Sequence, residues 1–415
     1  MTPTNNLKFL PDAYESFKDQ DFYEWIILRN GEALEPKNHF TATTLFGDDR
    51  VKIFDFSTPT DFIGLLKNEA CSRATGDVIV ELDHDDLLIP TAIEKIKEAF
   101  QDPEIGFAYS NCAQFNYPVW TKPNRFNSGM GWKWRDLTYQ GHVLDETISF
   151  GPSPASVSRI WFAPDHVRSW RKDIYDQIGG HNREMRVLDD GDLICRLYLK
   201  TKFEHINECL YLYRINGENS WAQPDKNKEI QENVMVLYGK YIYQLCERWC
   251  ELNHLLKIDL GGAIGKPDGY LGLDKHGSDI TCDLTERWPF EDNSIGMIRA
   301  HDILEHLPDK NFTMSEAHRV LVPGGYFLSM TPSCLGQGGW QDPTHKSFWV
   351  RNSFWYYTKQ DQARFIKNYS TKFQVMRLEE PYYPSDYAKN NGIVYIKADL
   401  IKLPSKERLP GAIEL

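Results

Sequence analysis

The sequence predicts an α/β protein of two domains, each organised around a parallel sheet. Three observations carry that expectation. The chain has 415 residues, more than one core usually holds. Short apolar runs rich in β-branched residues alternate with amphipathic helical patterns, as βαβ units do. The alternation starts near the N-terminus and again at Leu255, with a long helical pattern between.

In the first half, Leu10 to Phe17 reads as a helix, with Leu10, Ala13, Tyr14 and Phe17 apolar. Trp25 to Leu28 reads as a strand ending in the turn Arg29-Asn30-Gly31, and Val51 to Phe56 as another. Asp61 to Ala74 is helical, with Leu65, Leu66, Ala70 and Ala74 on one face. Asp77 to Leu82 is an apolar strand that runs into Asp83-His84-Asp85-Asp86, and Pro90 and Thr91 open the next helix. Ile105 to Ser110 is a further strand. The polar stretch Tyr117 to Ile148 reads as long and irregular, its Trp120, Trp132, Trp134 and Tyr139 marking an ordered acceptor or lid region. Asp189 and Asp190 open a helix whose first turn favours acids, and TKFEHINECLYLYRINGENS reads as a hairpin-like strand pair.

Val234, Leu237, Tyr241, Leu245, Trp249 and Leu252 recur every three or four residues, so 223–253 reads as a packed connecting helix between domains at 1–222 and 254–415. Such a helix implies a fixed relation between the domains rather than a flexible tether. The second half continues with strands Leu255 to Leu260, Tyr270 to Leu273 and Ile295 to Ala300. A helix Phe312 to Leu321, the turn and strand PGGYFLSMTP, a last antiparallel strand Tyr395 to Leu400 and an irregular tail follow.

Composition narrows the function. Net charge is −12, which argues against bulk nucleic-acid binding, since that needs a basic footprint. The eight cysteines show neither a CxxC pair nor zinc spacing, so reduced thiols of a cytoplasmic protein are expected. No apolar run is long enough to span a membrane and no signal peptide opens the chain, which leaves peripheral membrane contact open. Twelve Trp, 21 Tyr and 22 Phe suit clefts for flat or sugar-like ligands, although core packing is the commoner use of aromatics.

The stretch Gly76 to Pro90 is the strongest chemical signal. A buried strand that delivers carboxylates to its C-terminal end, just before a helix, stands where open α/β sheets bind ligands. Carboxylates so close repel one another, and a hard divalent cation relieves that repulsion and can hold a diphosphate. An isolated string of this kind would read as a solvated acidic turn. TPTNN, EWII-RNG, LLKNEACSRATGD and ELDHDD, in that order, resemble the nucleotide-binding half of a family 2 glycosyltransferase with the GT-A fold.

That resemblance implies a clipped first strand, since the chain starts on its last residues. It implies that Pro3 and Thr4 border the base, with Asn30 in a turn that lacks the family's usual acid. Lys67 and Asn68 would face the nucleotide, Asp83 the ribose, and Asp83 and Asp85 would hold Mn²⁺ or Mg²⁺, with Asp86 supporting them or capping the helix. Lys67 reads equally as an exposed helix lysine. Asp190, or else Asp189, would take the acceptor proton; His166 and Arg168 would shape the acceptor site, and Arg214 would reach the diphosphate. His166 also reads as a plain surface histidine.

From Leu255 on, a glycine pair after the first strand, an acid ending the second, an LEH turn and RVLVPGGYF resemble a class I S-adenosylmethionine-dependent methyltransferase of type 11. The resemblance implies Asp259 and Gly261 under the methionine part, Asp274 on the ribose diol, Asp283 with Leu284 against the adenine, and His301 lining the cofactor. The glycine loop GGAIGKPDGY is shorter than usual. His306 and His345 are candidate bases for O-methylation; alternatively His306 caps a turn and His345 orders a loop. No H-x-x-x-H or facial-triad spacing points to a metal here.

Together these features imply a bifunctional enzyme. It would transfer sugar with inversion from a nucleotide-sugar to a glycan or lipid-linked glycan and methylate that glycan, in surface polysaccharide synthesis. The alternative is a methyltransferase whose first domain only holds the glycan. A protein or small-molecule methyl acceptor also stays open.

Overall fold

Trp25–Arg29 is apolar along most of its length and buried throughout, so it takes the centre of a three-stranded parallel sheet. In the computed structural model, which describes residues 1–35, 47–58, 60–125, 131–366 and 373–403, that sheet runs β1 (Thr2–Thr4), β2 (Trp25–Arg29), β3 (Val51–Asp55). Helix Leu10–Phe17 buries Leu10, Ala13 and Phe17. The short β1 also joins β4 (Val78–Val80). The Met1 ammonium donates to Val80 O at 2.7 Å, Leu82 N donates to Met1 O, and Thr2 Oγ1 donates to Leu82 O at 2.8 Å.

The second sheet holds β4, β5 (Leu87–Leu88), β6 (Ile105–Asn116), β7 (Lys133–Tyr139), β8 (His142–Ile148), β9 (Arg168–Arg171) and β10 (Lys202–Ile215), with the path β4-β9-β6-β10-β5. Three expectations change here. β10 is one long strand parallel to β6, not a hairpin; register shifts near Ile206 and Cys209 interrupt the pattern that reads as a turn. The stretch expected to be irregular carries the antiparallel hairpin β7/β8, which pairs with β6 through β8. Its aromatics pack on the protein: Trp120 stacks on Phe115 at 4.1 Å and Trp132 on Phe162 at 5.2 Å. The sheet is also mixed rather than parallel. β9 runs antiparallel to both β4 and β6, a pairing that needs no helical crossover.

The chain divides into two units, the first from Met1–Ser128 and Trp132–Leu245, the second centred on Cys246–Leu415. Helix Pro224–Leu252 carries the boundary and buries Val234, Leu237, Tyr241 and Leu245 at the predicted spacing.

The second unit has one sheet of β11 (Leu256–Leu260), β12 (Leu271–Asp274), β13 (Ile280–Thr281), β14 (Ile295–His301), β15 (Leu321–Pro332), β16 (Phe373–Tyr382) and β17 (Tyr395–Lys402), in the order β13-β12-β11-β14-β15-β17-β16. β11 to β15 are parallel, and β17 lies antiparallel between β15 and β16. The order reverses between β11 and β14, which makes their carboxyl ends a topological switch point. Helix Lys310–Val320 connects β14 to β15, and the Asp309 side chain accepts from Asn311 N and Phe312 N at its start. Its core gathers Ile258, Leu273, Ile298, Phe327, Trp349 and Leu400. Among the described residues no helix is long and apolar enough to cross a membrane, and all eight cysteines are free thiols. The expected irregular tail lies, from residue 404 on, outside the described residues.

Candidate functional site

Beyond β4 the chain stays extended through Leu82, with Glu81 N donating to Arg168 O, and then turns at Asp83–Asp86. Asp86 points into the protein and is 1% exposed. Its carboxylate accepts from Tyr211 Oη at 2.8 Å and Arg214 N at 2.6 Å. Burial, then the charges of Asp85 and Asp83, push its pKa well up. Asp83 and Asp85 instead line a cleft of about 790 Å³. Asp85 Oδ2 accepts from Asn216 Nδ2 at 2.7 Å; burial outweighs His84 and raises this carboxyl too. His166 faces them, its Nε2 3.9 Å from Asp83 Oδ2, its ring stacked on Tyr211 at 4.8 Å.

Arg214 does not reach the cleft. It is 1% exposed, stacks over Phe9 at 4.3 Å, and donates Nε to Asp85 O at 2.5 Å and Nη2 to Asp12 at 3.1 Å. The aromatic cage and Asp12 hold it behind the acidic turn, where it positions Asp85. Asn68 is also turned away, its Nδ2 donating to Gly179 O and His181 O.

Pro3, Thr4, Asn30 and Lys67 line the same cleft. Thr4 Oγ1 donates to Asn6 O at 2.6 Å, and Asn30 Nδ2 donates to Thr60 O at 2.7 Å, leaving Asn30 Oδ1 buried without a partner among the described residues. Lys67 is no exposed lysine: it is buried, with Nζ 2.5 Å from Glu81 Oε1 and 3.8 Å from Asp189 Oδ2.

Lys67 opens a buried charge network. Arg168 Nη1 lies 2.5 Å from Asp190 Oδ2 and 3.7 Å from Glu81 Oε2, while its Nε donates to Pro164 O. Two cations thus face three carboxylates. Burial works against ionised Glu81, but Lys67 and Arg168 outweigh it and hold its pKa down. Burial opposes ionised Asp190 as well, and Arg168 and Lys67 again prevail. For Asp189 burial wins, reinforced by Asp190 and Glu81, and its pKa rises to about 7. His181 Nε2 lies 3.6 Å from Asp189, and burial with Lys67 holds this ring neutral by lowering its pKa to about 3. Asp189 and Asp190 share the first turn of helix Asp189–Lys200. Asp190 is the more open, with 21% of its side chain exposed against 3% for Asp189. Glu81 and His181 were not singled out in the sequence. The available signal was Glu81 itself, a lone charge in the run Val78-Ile79-Val80-Glu81-Leu82.

In the second unit the predicted cofactor residues divide. Asp274 ends β12; its Oδ1 accepts from His276 N, and its side chain stands at the carboxyl edge where a ribose diol would bind. Gly261 follows β11 at φ +76°, a conformation that suits glycine and lets backbone approach a ligand. His301 ends β14, and burial lowers its pKa to about 3, so the ring is neutral. Asp259 departs from expectation: it is buried, with both oxygens 2.8 and 2.9 Å from Arg299 Nη1, and ties β11 to β14. Asp283 holds a turn, its carboxylate accepting from Thr285 N and Oγ1 and pairing with Lys275 at 2.9 Å. The donor set thus fits the ribose end of an S-adenosylmethionine-like cofactor through Asp274, with Gly261 as backbone floor. His306 and His345, from separate loops, come together with ring centroids 5.0 Å apart.

Residues 2–160 match the family model described as glycosyl transferase family 2, and residues 269–329 match a methyltransferase domain model. Chondroitin synthase of Pasteurella multocida (strain Pm70) and hyaluronan synthase of Pasteurella multocida are each 26% identical over 178 residues, 42% of this chain and 16% of theirs. The chain thus matches only a small part of the length of these curated relatives. The crystal structure of S. aureus TarS 1–349 aligns with a TM-score of 0.42 at 12% identity, covering 61% of this chain and 71% of that one. An S-adenosylmethionine dependent methyltransferase from Mesorhizobium loti aligns with a TM-score of 0.26 at 15% identity, covering 36% and 91%.

Proposed function

We propose that this chain, which joins a family 2 glycosyltransferase domain of GT-A type to a class I, Rossmann-like methyltransferase domain, transfers a sugar from a nucleotide-sugar to a glycan with inversion and methylates that glycan. The observation that carries the reading is one cleft gathering Asp83, Asp85, Lys67, His166 and Asp190. Such a set can hold a nucleoside diphosphate at one end and deprotonate an acceptor at the other.

The crowded carboxylates of Asp83 and Asp85 suit a divalent cation, which would neutralise charge on the departing diphosphate. The chain's own residues do the rest. Asp83 faces the ribose, and Thr4 and Asn30 border the base. Asp190, kept ionised by Arg168, accepts the proton of the attacking hydroxyl; general-base help of this kind is worth roughly 10²–10⁴-fold. In the methyltransferase unit, bound S-adenosylmethionine would supply the methyl group. There Asp274 would accept from its ribose hydroxyls and the neutral His301 would border it. Methylating a terminal hydroxyl removes the nucleophile for further extension, which suits capping of a surface polysaccharide on a lipid-linked or free glycan.

The test is nucleotide release from UDP-, GDP- and dTDP-sugars with Mn²⁺, with and without EDTA, beside methyl transfer to separately supplied, already glycosylated glycan. Asp85→Asn is expected to abolish release and spare methylation. Absence of metal-dependent release from every donor, with S-adenosylhomocysteine still bound, would leave the first domain as a glycan holder. Loss of both activities in Asp85→Asn would refute two separate sites.

A further inference from the structure

Glu305 and His306 follow β14 in a short 3₁₀ turn, Leu304–His306, and His345 enters from the loop after β15. One ligand atom from each of the three lies within 4.8 Å of the others. The cluster stands beyond the carboxyl ends of two neighbouring parallel strands, where this kind of sheet binds ligands.

The hydrogen bonds around the two imidazoles fix their tautomers. His345 Nδ1 lies 3.2 Å from Gly339 O. A carbonyl only accepts, so a neutral His345 carries its proton on Nδ1 and leaves Nε2 bare. His306 Nδ1 lies 3.2 Å from Thr344 Oγ1, but the Thr344 hydroxyl already donates to Asp342 at 2.7 Å. The hydroxyl therefore accepts from His306 Nδ1–H, and Nε2 is again the bare nitrogen. Glu305 is held as firmly. Its side chain is 3% exposed, and Thr331 Oγ1 donates to Oε2 at 2.7 Å. Its Oε1 sits 4.0 Å from His306 Nε2, beyond hydrogen-bond range. Asp342 Oδ2 stands 3.9 Å from His345 Nε2.

Two imidazole nitrogens with bare lone pairs, each braced through its other nitrogen, and a buried carboxylate within 4.8 Å of both have the make-up of a His₂–carboxylate metal site. Metal–ligand bonds of about 2.0–2.2 Å place neighbouring ligands roughly 3–3.5 Å apart, so side-chain rotations that move each ligand atom by at most about 0.7–0.9 Å close the cluster on an ion. With a third of the His306 side chain exposed (34%) and 6% of His345, one side stays open for a further ligand.

We propose that Glu305, His306 and His345 bind a divalent cation in the methyltransferase unit, and that the open side of this ion takes a hydroxyl oxygen of the methyl acceptor. The site is separate from the Asp83–Asp85 turn and differs in chemistry, borderline nitrogen and oxygen donors against hard carboxylates alone. Its role toward an acceptor rests on the methyltransferase reading; its binding of the ion does not.

The full chain carrying Asp85→Asn, which disables the other carboxylate site, is stripped with EDTA and titrated with Co²⁺ by visible absorption, then with Zn²⁺ in competition. One equivalent of Co²⁺ with nitrogen-ligand bands is expected. His306→Gln should weaken binding at least 100-fold and Thr344→Val by roughly 10–100-fold, as loss of an outer hydrogen bond does. His306 is open enough for its variant to keep the wild-type circular dichroism. No bound Co²⁺, or unchanged affinity in His306→Gln, overturns the site. Co²⁺ bound with no methyl transfer to any glycan refutes the methyltransferase reading and leaves the ion site standing. Methyl transfer at full rate in the stripped chain overturns the acceptor-binding role.

Discussion

Glu81→Gln is the sharpest test of the buried network. The substitution keeps shape and removes one charge from a residue 1% exposed, 2.5 Å from Lys67 and 3.7 Å from Arg168. Breaking a buried ion pair by deleting one partner costs about 3–5 kcal/mol. The network can answer in part, because Asp189 keeps its proton up to about 7, and Glu81 is one of the charges that keep it there. Removing that charge lowers the Asp189 pKa. Between the lowered pKa and about 7 the native wild-type then binds more protons than the variant, so its advantage falls as pH rises through that window. Each unit by which the Asp189 pKa drops reduces the cost by about 1.4 kcal/mol at pH 8 relative to pH 5. In charge terms, at pH 5 the wild-type balances Lys67 and Arg168 with Glu81 and Asp190, whereas at pH 8 the variant balances them with Asp189 and Asp190. The assay is thermal melting by circular dichroism at pH 5 and pH 8, with Asp21→Asn at an exposed pair as an unshifted control. At pH 5 a loss of roughly 6–20 °C is expected, from about 2–4 °C per kcal/mol in a unit of this size, and a clearly smaller loss at pH 8. Equal losses at both pH values, or under about 2 °C at pH 5, would refute the shared-charge account.

Three further outcomes follow from the site. Asp190→Asn should lower kcat for nucleotide release to acceptor by roughly 10²–10⁴-fold, whereas Asp189→Asn, which removes no ionised group below pH 7, should cost under about 10-fold; similar losses would reject Asp190 as base. Arg214→Met keeps volume but frees the Asp85 carbonyl and the Asp12 pair; half-saturation by Mn²⁺ should rise about 10-fold or more, read from initial rates across Mn²⁺ concentration. Gly261→Ala places a Cβ 3.0 Å from Ile303 at φ +76°, costing about 1–2 kcal/mol; it should weaken S-adenosylhomocysteine in calorimetry and leave sugar transfer unchanged.

Local order was legible where period and punctuation agree. Strand Trp25–Arg29, helix Leu10–Phe17 and the helix through Val234 and Leu245 follow directly from apolar spacing. The acidic turn was legible as a turn at the end of a strand, and two of its carboxylates, Asp83 and Asp85, do line the cleft. Direction was not legible: nothing within Arg168–Arg171 says that it runs antiparallel between β4 and β6, since strand pairing is a long-range property. Side-chain destination failed for the same reason. Arg214 and Asn68 carry suitable chemistry at suitable positions, yet Phe9, Tyr117, Gly179 and His181 draw them elsewhere. The Glu305–His306–His345 cluster lacked any local spacing because its third member joins only when the loop after β15 folds back over β14.

The two adjacent aspartates show how position alone assigns chemistry. They share a helical turn and differ in which way they face: Asp190 meets Arg168 and Asp189 meets the interior. Environments that push two carboxyls apart in this way separate an ionised base from a group that keeps its proton. The arrangement bears on the proposed role of Asp190, because Arg168 at 2.5 Å stabilises the carboxylate, which would weaken it as a base while keeping it ionised. Arg168→Met removes the cation, so the Asp190 pKa must rise, and the acid limb of the kcat/KM profile for sugar transfer should move to higher pH by at least about one unit. Arg168→Lys keeps the charge without the fork and should hold the limb near its original position, which separates the electrostatic effect from damage to folding. An acid limb that stays put in Arg168→Met, in a chain that still turns over, would mean that Asp190 does not set it and that the proton goes to another group lining the cleft.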